Sequence, residues 1–338
     1  MNILGIETSC DESAAAIYNT DKGVLSSELY SQIEIQKEFG GVIPEVASRS
    51  HLDKIDAMVK KALEVAKISL QEIDAVAVTT KPGLPGSLLI GLNFAKSLAY
   101  SLKIPLIGVN HLDGHAFSSF LENTVPFPHV CLTASGGHTN IYLMEDFGKY
   151  QILGTTADDA AGECMDKVAK FMGYPYPGGP VIEKLAREEG FVDYYKFPRG
   201  KNQQDLRFSF SGLKTAVLYK LAEEEAFDLK TKKFIKPCDD ALKRKVASSL
   251  LVCVKDIFIK KLKVALKLYP QIKSVSFVGG VACNKYLKEQ LGNFCKERNI
   301  QFFSPTPKFC TDNAAMIAYV GHYKAQHKQF DNLTLDIF

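Results

Sequence analysis

Absences narrow the possibilities first. The chain has no stretch approaching the roughly 20 apolar residues that a membrane helix needs. Its start, MNILGIETSCDES, lacks a basic n-region and soon turns acidic, so it reads as a first β-strand and not as a secretory leader. Both features point to the cytoplasm. Eight cysteines, at 10, 131, 164, 238, 253, 283, 295 and 310, include no CxxC pair. That argues against a zinc ribbon or dithiol redox motif and for reduced, mostly buried thiols. The net charge of +3 neither demands nor repels a nucleic-acid partner. No GxxxxGKS/T or GxGxxG occurs, so the P-loop and Rossmann readings drop. HExxH is also missing.

What is present is a soluble composition, 46 % hydrophobic and 23 % charged, over 338 residues, a length that suggests two domains. The first half reads as strands at about 2–8, 13–19 and 23–30, a helix at 46–67, strand 73–79, helix 86–102, strand 105–109 and a helix from 111. From 129 the series starts again: strands HVCLTAS, NIYLMED and KYQILGT, helices near 161–172, 180–188 and 240–268, strand 274–279, helix 284–298, a short strand at 301–304 and a helix from 312. Three antiparallel strands feeding βα units predict a mixed sheet with helices on its faces, twice over. We divide the chain at 127/128, with a second lobe of 128–338 whose last helix is open to packing back on the first. Two copies predict a central cleft, a usual small-molecule site. Residues 189–240 break the pattern as an insertion, either a packed excursion or a lid or partner surface.

Four turns carry small residues where a strand hands over to the next element: ETSCDES, PGLPGS, SGGHT and GGVACN. One such turn usually just answers a backbone requirement; four at matching places suit a nucleotide. AGECMDKVAKFMG sets Asp166 on a helix with an apolar stripe of Met165, Val168, Ala169 and Met172. There it is a solvated acid or a ligand. YPYPGGPVIE places Gly178 and Gly179 before Pro180, a helix start.

His111 and His115 stand four apart in NHLDGHAFS, and Asn110 can cap a helix that puts both on one face. Two imidazoles so spaced can share a cation, or be two polar helix residues. Leu112 stands where a zinc protease of the HExxH type carries its glutamate. A third ligand is on offer in CTDNAAMIA, where Asp312 or Thr311 could equally cap the last helix.

These stretches, with YPGGPVIE and FSFSGLKTA, occur in an order that closely resembles the TsaD (YgjD/Gcp) family, the tRNA N6-adenosine threonylcarbamoyltransferases, in its bacterial-type form with His138 in SGGHT. The resemblance implies an α/β, duplicated actin-like (ASKHA, ribonuclease H-like) fold of two lobes. It implies transfer of a threonylcarbamoyl group from threonylcarbamoyl-adenylate to N6 of adenosine 37 in tRNAs reading ANN codons, giving t6A and AMP. Carried over by residue, His111, His115 and Asp312 hold one Fe2+ or Zn2+ ion. Ala134, Ser135, Gly136, Gly137, His138, Asp166, Gly179, Glu183 and Asn284 surround the adenylate. Asp11 and Glu12 match acidic positions that matter for activity. Partners implied are the tRNA anticodon loop, a TsaB-like paralogue and a TsaE-like ATPase, with a TsaC-type enzyme supplying the donor. Lys288, Cys283 and Pro85 depart from the family pattern without removing a ligand. Candidate tRNA contacts are Lys230, Lys232, Lys233, Lys236, Lys243, Arg244 and Lys245, or Lys54, Lys60, Lys61 and Lys67. A sugar or acid kinase on the same fold, a metalloprotease and a nucleotide-binding scaffold are the rival readings; kinases of this fold hold Mg2+ by oxygen ligands, which the histidine pair does not match.

Overall fold

The computed structural model describes residues 1–200, 206–231, 233–234 and 239–337. They divide into two compact units, Met1–Asn123 with Lys308–Phe338, and Thr124–Pro307. The break thus falls at 123/124, not 127/128, and the last segment lies with the first unit.

In the first unit, β1 (Asn2–Glu7), β2 (Glu12–Asn19) and β3 (Gly23–Ser31) run antiparallel. Helices α1 (Ile33–Phe39) and α2 (Pro44–Ala66) follow, then β4 (Ala75–Lys81), α3 (Pro85–Leu102), β5 (Leu106–Asn110) and α4 (His111–Phe117). The sheet order is β3-β2-β1-β4-β5, with β4 parallel to both β1 and β5. β1 and β4 are apolar on both faces because helices cover both. Pro44 and Pro85 open α2 and α3 at positions that need no N–H donor, which gives Pro85 a local reason. The inner face of α2, Ala47, His51, Ile55, Val59 and Ala62, keeps helical spacing.

The second unit repeats the order. It holds β6 (His129–Ala134), β7 (Thr139–Asp146), β8 (Lys149–Thr155), α5 (Ala161–Phe171), α6 (Gly178–Glu188), α7 (Ser211–Glu223), the two-residue strands β9 (Phe227–Asp228) and β10 (Lys233–Phe234), α8 (Asp240–Leu268), β11 (Ser274–Val278), α9 (Lys285–Lys296) and β12 (Gln301–Phe303). Its sheet reads β8-β7-β6-β11-β12, again three antiparallel strands and then two parallel ones. The predicted excursion therefore contains a full helix, α7, and a small hairpin. Asp158 caps that helix, accepting from the Phe210 and Ser211 N–H groups at 2.8 and 3.1 Å.

Two helices close the chain, α10 (Pro307–Cys310) and α11 (Ala314–Gln326). α11 lies on β1, β2, β4 and β5, the face opposite α2 and α3. Small residues make this seam close. A Cβ on Gly5 would collide with the Ala314 carbonyl, and one on Gly321 with Ala77. Gly114 on α4 leaves room for Met316 and Ile317, whose side chains would sit 3.0 and 2.9 Å from a Cβ there. So glycines bring the start of α11 against both β1 and α4. No helix among the described residues is long and apolar enough to cross a membrane.

Candidate metal centre and substrate loops

The histidine pair forms as its spacing predicts. Asn110 caps α4, its side chain accepting from the Leu112 N–H at 2.8 Å. One turn then stacks the two rings edge to face, with centroids 4.6 Å apart. At the other end of the chain, Asn313, and neither Thr311 nor Asp312, caps α11 by accepting from the Met316 N–H at 3.0 Å. Capping falls to its neighbour, and the Asp312 carboxylate turns to the imidazoles. Its Oδ1 is 2.9 Å from His115 Nε2 and 3.5 Å from His111 Nε2.

These three donors lie within 4.8 Å of one another. Ligands about 2.1 Å from a tetrahedral ion stand about 3.4 Å apart, which the two carboxylate–imidazole distances bracket. Two neutral nitrogens and one carboxylate suit zinc or ferrous iron better than magnesium. The residues therefore fit a divalent transition metal. The electrostatics agree. Burial alone would depress the His111 pKa, yet the Asp312 and Glu7 carboxylates outweigh it and raise it to about 9. The site draws a cation, be it a proton or a metal.

Behind His111 stands a residue that sequence reasoning passed over. Glu7, fully buried at the end of β1, meets His111 Nδ1 with its Oε2 at 3.0 Å. It also accepts from the Ser9 N–H and the Thr79 hydroxyl, both at 2.5 Å. Burial works against its charge, but the His111 ring and the hydrogen bond from Ser9 hold its pKa below the ordinary value. The available signal was a carboxylate directly after the apolar run ILGI.

Asp11 ends the turn between β1 and β2, and Glu12 is the first residue of β2. Asp11 is buried, its carbonyl accepting from the Gln32 N–H at 3.0 Å, and its Oδ2 has no hydrogen-bond partner among the described residues. Burial, then the Asp11 and Asp312 charges, push the Glu12 pKa well above the carboxylate range. His51, on α2, pins the same turn: its Nδ1 lies 2.7 Å from Ser13 Oγ and its Nε2 donates to the Cys10 carbonyl at 3.0 Å. Sequence reading missed His51 too.

In the second unit the predicted substrate residues converge. Ser135 closes the SGGHT turn on His138: its N–H donates to the His138 carbonyl at 2.8 Å, and its Oγ accepts the His138 N–H at 3.1 Å. The Ser135 carbonyl accepts from Gly162 at the start of α5. Gly279, at a left-handed φ of 90°, lies so close to Ala134 that a Cβ would strike its carbonyl. Asp166 accepts the Gly178 N–H at 2.7 Å, and Glu183 the Lys285 N–H at 3.0 Å. Thus β6, α5, α6 and the turn before α9 are tied together. Asn284 Oδ1 caps α9 by accepting from Leu287 N–H at 2.9 Å. Gly136, Gly137 and Gly179 would meet nothing within 4 Å with a Cβ, so packing does not demand glycine there.

The basic stretches are largely engaged. Arg244 pairs with Glu189 at 3.4 Å, Lys60 with Asp56 at 2.7 Å and Lys61 with Glu28 at 2.7 Å. Lys243, Lys245 and Lys54 lie over the rings of Tyr174, Tyr194 and Tyr30. Lys232 and Lys236 lie outside the described residues, as does the Lys233 side chain.

The family model for TsaD, tRNA N6-adenosine threonylcarbamoyltransferase, matches residues 23–319. The chain belongs to this family. A protein of that name from Caldicellulosiruptor saccharolyticus is 47 % identical over 327 residues, covering 96 % of this chain and 93 % of the relative. Another, from Clostridium perfringens, is 46 % identical over 336 residues, covering 99 % and 96 %. Among solved structures, full-length HypF in its phosphate- and nucleotide-bound form superposes with a TM-score of 0.61 at 13 % identity, covering 98 % of this chain and 47 % of that one. At that identity the likeness speaks for the fold alone: a duplicated actin-like α/β architecture. The chain is an enzyme of the threonylcarbamoyl-transferring class, acting in tRNA modification.

Proposed function

We propose that the donor is threonylcarbamoyl-adenylate and the acceptor N6 of adenosine 37 in tRNAs reading ANN codons, with t6A and AMP as products. The observation that carries this reading is the meeting of His111, His115 and Asp312 in a chain of this family. In a carbamoyl–phosphate mixed anhydride the phosphate already leaves readily, whereas an exocyclic aromatic amine attacks poorly. Catalysis then rests on alignment and on stabilising charge at the carbamoyl oxygen and the departing phosphate. A bound Fe2+ or Zn2+ ion supplies Lewis acidity toward an oxygen of the threonylcarbamoyl group. The exposed backbone of Gly136 and Gly137 is assigned to the phosphate. Ala134, Ser135, His138, Asp166, Gly179, Glu183 and Asn284 are assigned to the rest of the adenylate. Asp11 and Glu12 are assigned the proton of the attacking amine. Burial and the neighbouring charges raise the Glu12 pKa above the carboxylate range, which makes its ionised form a stronger base.

Partners in this reading are the tRNA anticodon loop, read by shape and phosphate contacts, a TsaB-like paralogue and a TsaE-like ATPase, all in the cytoplasm. The test mixes the chain and these partners with threonylcarbamoyl-adenylate and unmodified tRNA, then digests the tRNA and looks for t6A. Wild type forms it. His111→Ala loses both metal and most transfer. A variant that keeps both refutes the metal assignment, and no t6A from wild type refutes the activity.

A further inference from the structure

Glu7 is a buried carboxylate that belongs to no predicted motif role, and its surroundings are unusually specific. Both oxygens are used. One accepts the Ser9 N–H, the other the Thr79 hydroxyl and His111 Nδ1. An ionised carboxylate can only accept, so the Nδ1 facing it must carry a proton. That leaves the lone pair of a neutral imidazole on Nε2, the nitrogen turned to Asp312. Burying a charge is costly unless it is fully hydrogen-bonded, and this one is held by three donors.

We infer that Glu7 is a positioning residue: it fixes His111 in the tautomer that presents Nε2 as a metal ligand, and so sets the affinity of the centre. The inference rests on the metal reading of His111, His115 and Asp312. It also predicts that an amide does not replace the acid. If Gln at position 7 turned its oxygen to Thr79 and His111, its NH2 would face the Ser9 N–H, donor against donor. With the amide reversed, the NH2 would donate to Nδ1 and move the ring proton to Nε2, closing the ligand. The clash at Ser9 disfavours the first arrangement, and the second weakens binding. His115 has no such support: its Nδ1 is buried without a hydrogen-bond partner among the described residues. Control of the pair therefore falls on the His111 side.

The test uses the full chain and Zn2+ as probe. Affinity is measured by competition with a chromophoric chelator for wild type, Glu7→Gln and Thr79→Val. Thr79→Val removes another of the donors to Glu7 without touching the imidazole, so it reports the merely structural share. Glu7→Gln is expected to bind Zn2+ roughly 10- to 100-fold more weakly, the usual effect of losing the partner behind a ligating histidine. Thr79→Val is expected to bind close to wild type while unfolding at lower temperature. In 15N-histidine-labelled, Zn2+-loaded wild type, His111 should carry its proton on Nδ1. Equal Zn2+ affinity in wild type and Glu7→Gln overturns the inference, as does an equal loss in Thr79→Val. Should wild type take up no Zn2+, the metal reading itself fails and this inference with it.

Discussion

Asp312 Oδ1 stands 2.9 Å from His115 Nε2, although 197 positions of sequence separate the two residues. The contact exists because Asn313 takes over the capping of α11. Asp312→Asn should therefore leave the helix intact. Zn2+ affinity should fall by more than the roughly 10- to 100-fold expected for loss of a supporting hydrogen bond. The metal-free variant should unfold close to the wild-type temperature, because the lost attraction between Asp312 and His111 is offset by the relief of Glu7 and Glu12. Thermal unfolding in excess chelator checks the second point; a marked loss of stability there would mean that Asp312 is structural.

Glycines separate packing from chemistry. Gly5→Ala forces a methyl against the Ala314 backbone, which cannot swing aside like a flexible side chain. The expected cost is about 1–3 kcal/mol, with weaker metal binding as α11 is pushed off β1. Gly136→Ala meets nothing, so its stability should stay within about 0.5 kcal/mol of wild type while transfer falls. Denaturant melts should separate the two variants, and the t6A assay should show that Gly136→Ala loses transfer without losing stability.

His129, wholly buried on β6, gives a pH dependence. Burial lowers its pKa from 6.5 to about 4, only partly offset by a hydrogen bond to the Pro126 carbonyl. The unfolded chain takes up this proton first. Stability should therefore be unaffected by His129 above pH 6.5 and decline as pH drops from there toward 4, by about 3 kcal/mol in all. His129→Gln should flatten that part of a stability–pH curve measured by urea unfolding.

Asp158 is the anchor of α7. Asp158→Ala removes the acceptor for two backbone N–H groups and for the Ser209 hydroxyl, bonded at 2.6 Å. The expected loss is about 1–2 kcal/mol, with the amides of Phe210 and Ser211 exchanging faster in hydrogen-exchange measurements.

Local features were legible in the residues; long-range ones were not. The cap at Asn110 and the shared face of His111 and His115 follow from helical period. Strands β1 to β3 and β6 to β8 show as apolar runs between turn residues. Helix α1 was missed because IEIQKEF buries only Gln36 and so shows no apolar stripe. Reading α6 from Pro180 overlooked that Gly178, held by Asp166, already starts it. The residues offered Asp312 as a third ligand beside a capping role, and only the resemblance chose between them, since no local pattern decides which of Thr311, Asp312 and Asn313 caps. Glu7 and His51 were hidden for another reason. Their meaning lies in which way a buried side chain points, and register across a sheet is a property of the folded chain.

The seat of α11 on β1 carries a consequence for synthesis. A ribosome delivers residues in order, so the first sheet and both imidazoles emerge long before the carboxylate that joins them. A chain still short of Lys308–Phe338 has neither the helix covering that face of the sheet nor the third ligand. On the proposed metal reading, a product truncated before Asp312 keeps two of the three ligands and should hold the ion more weakly.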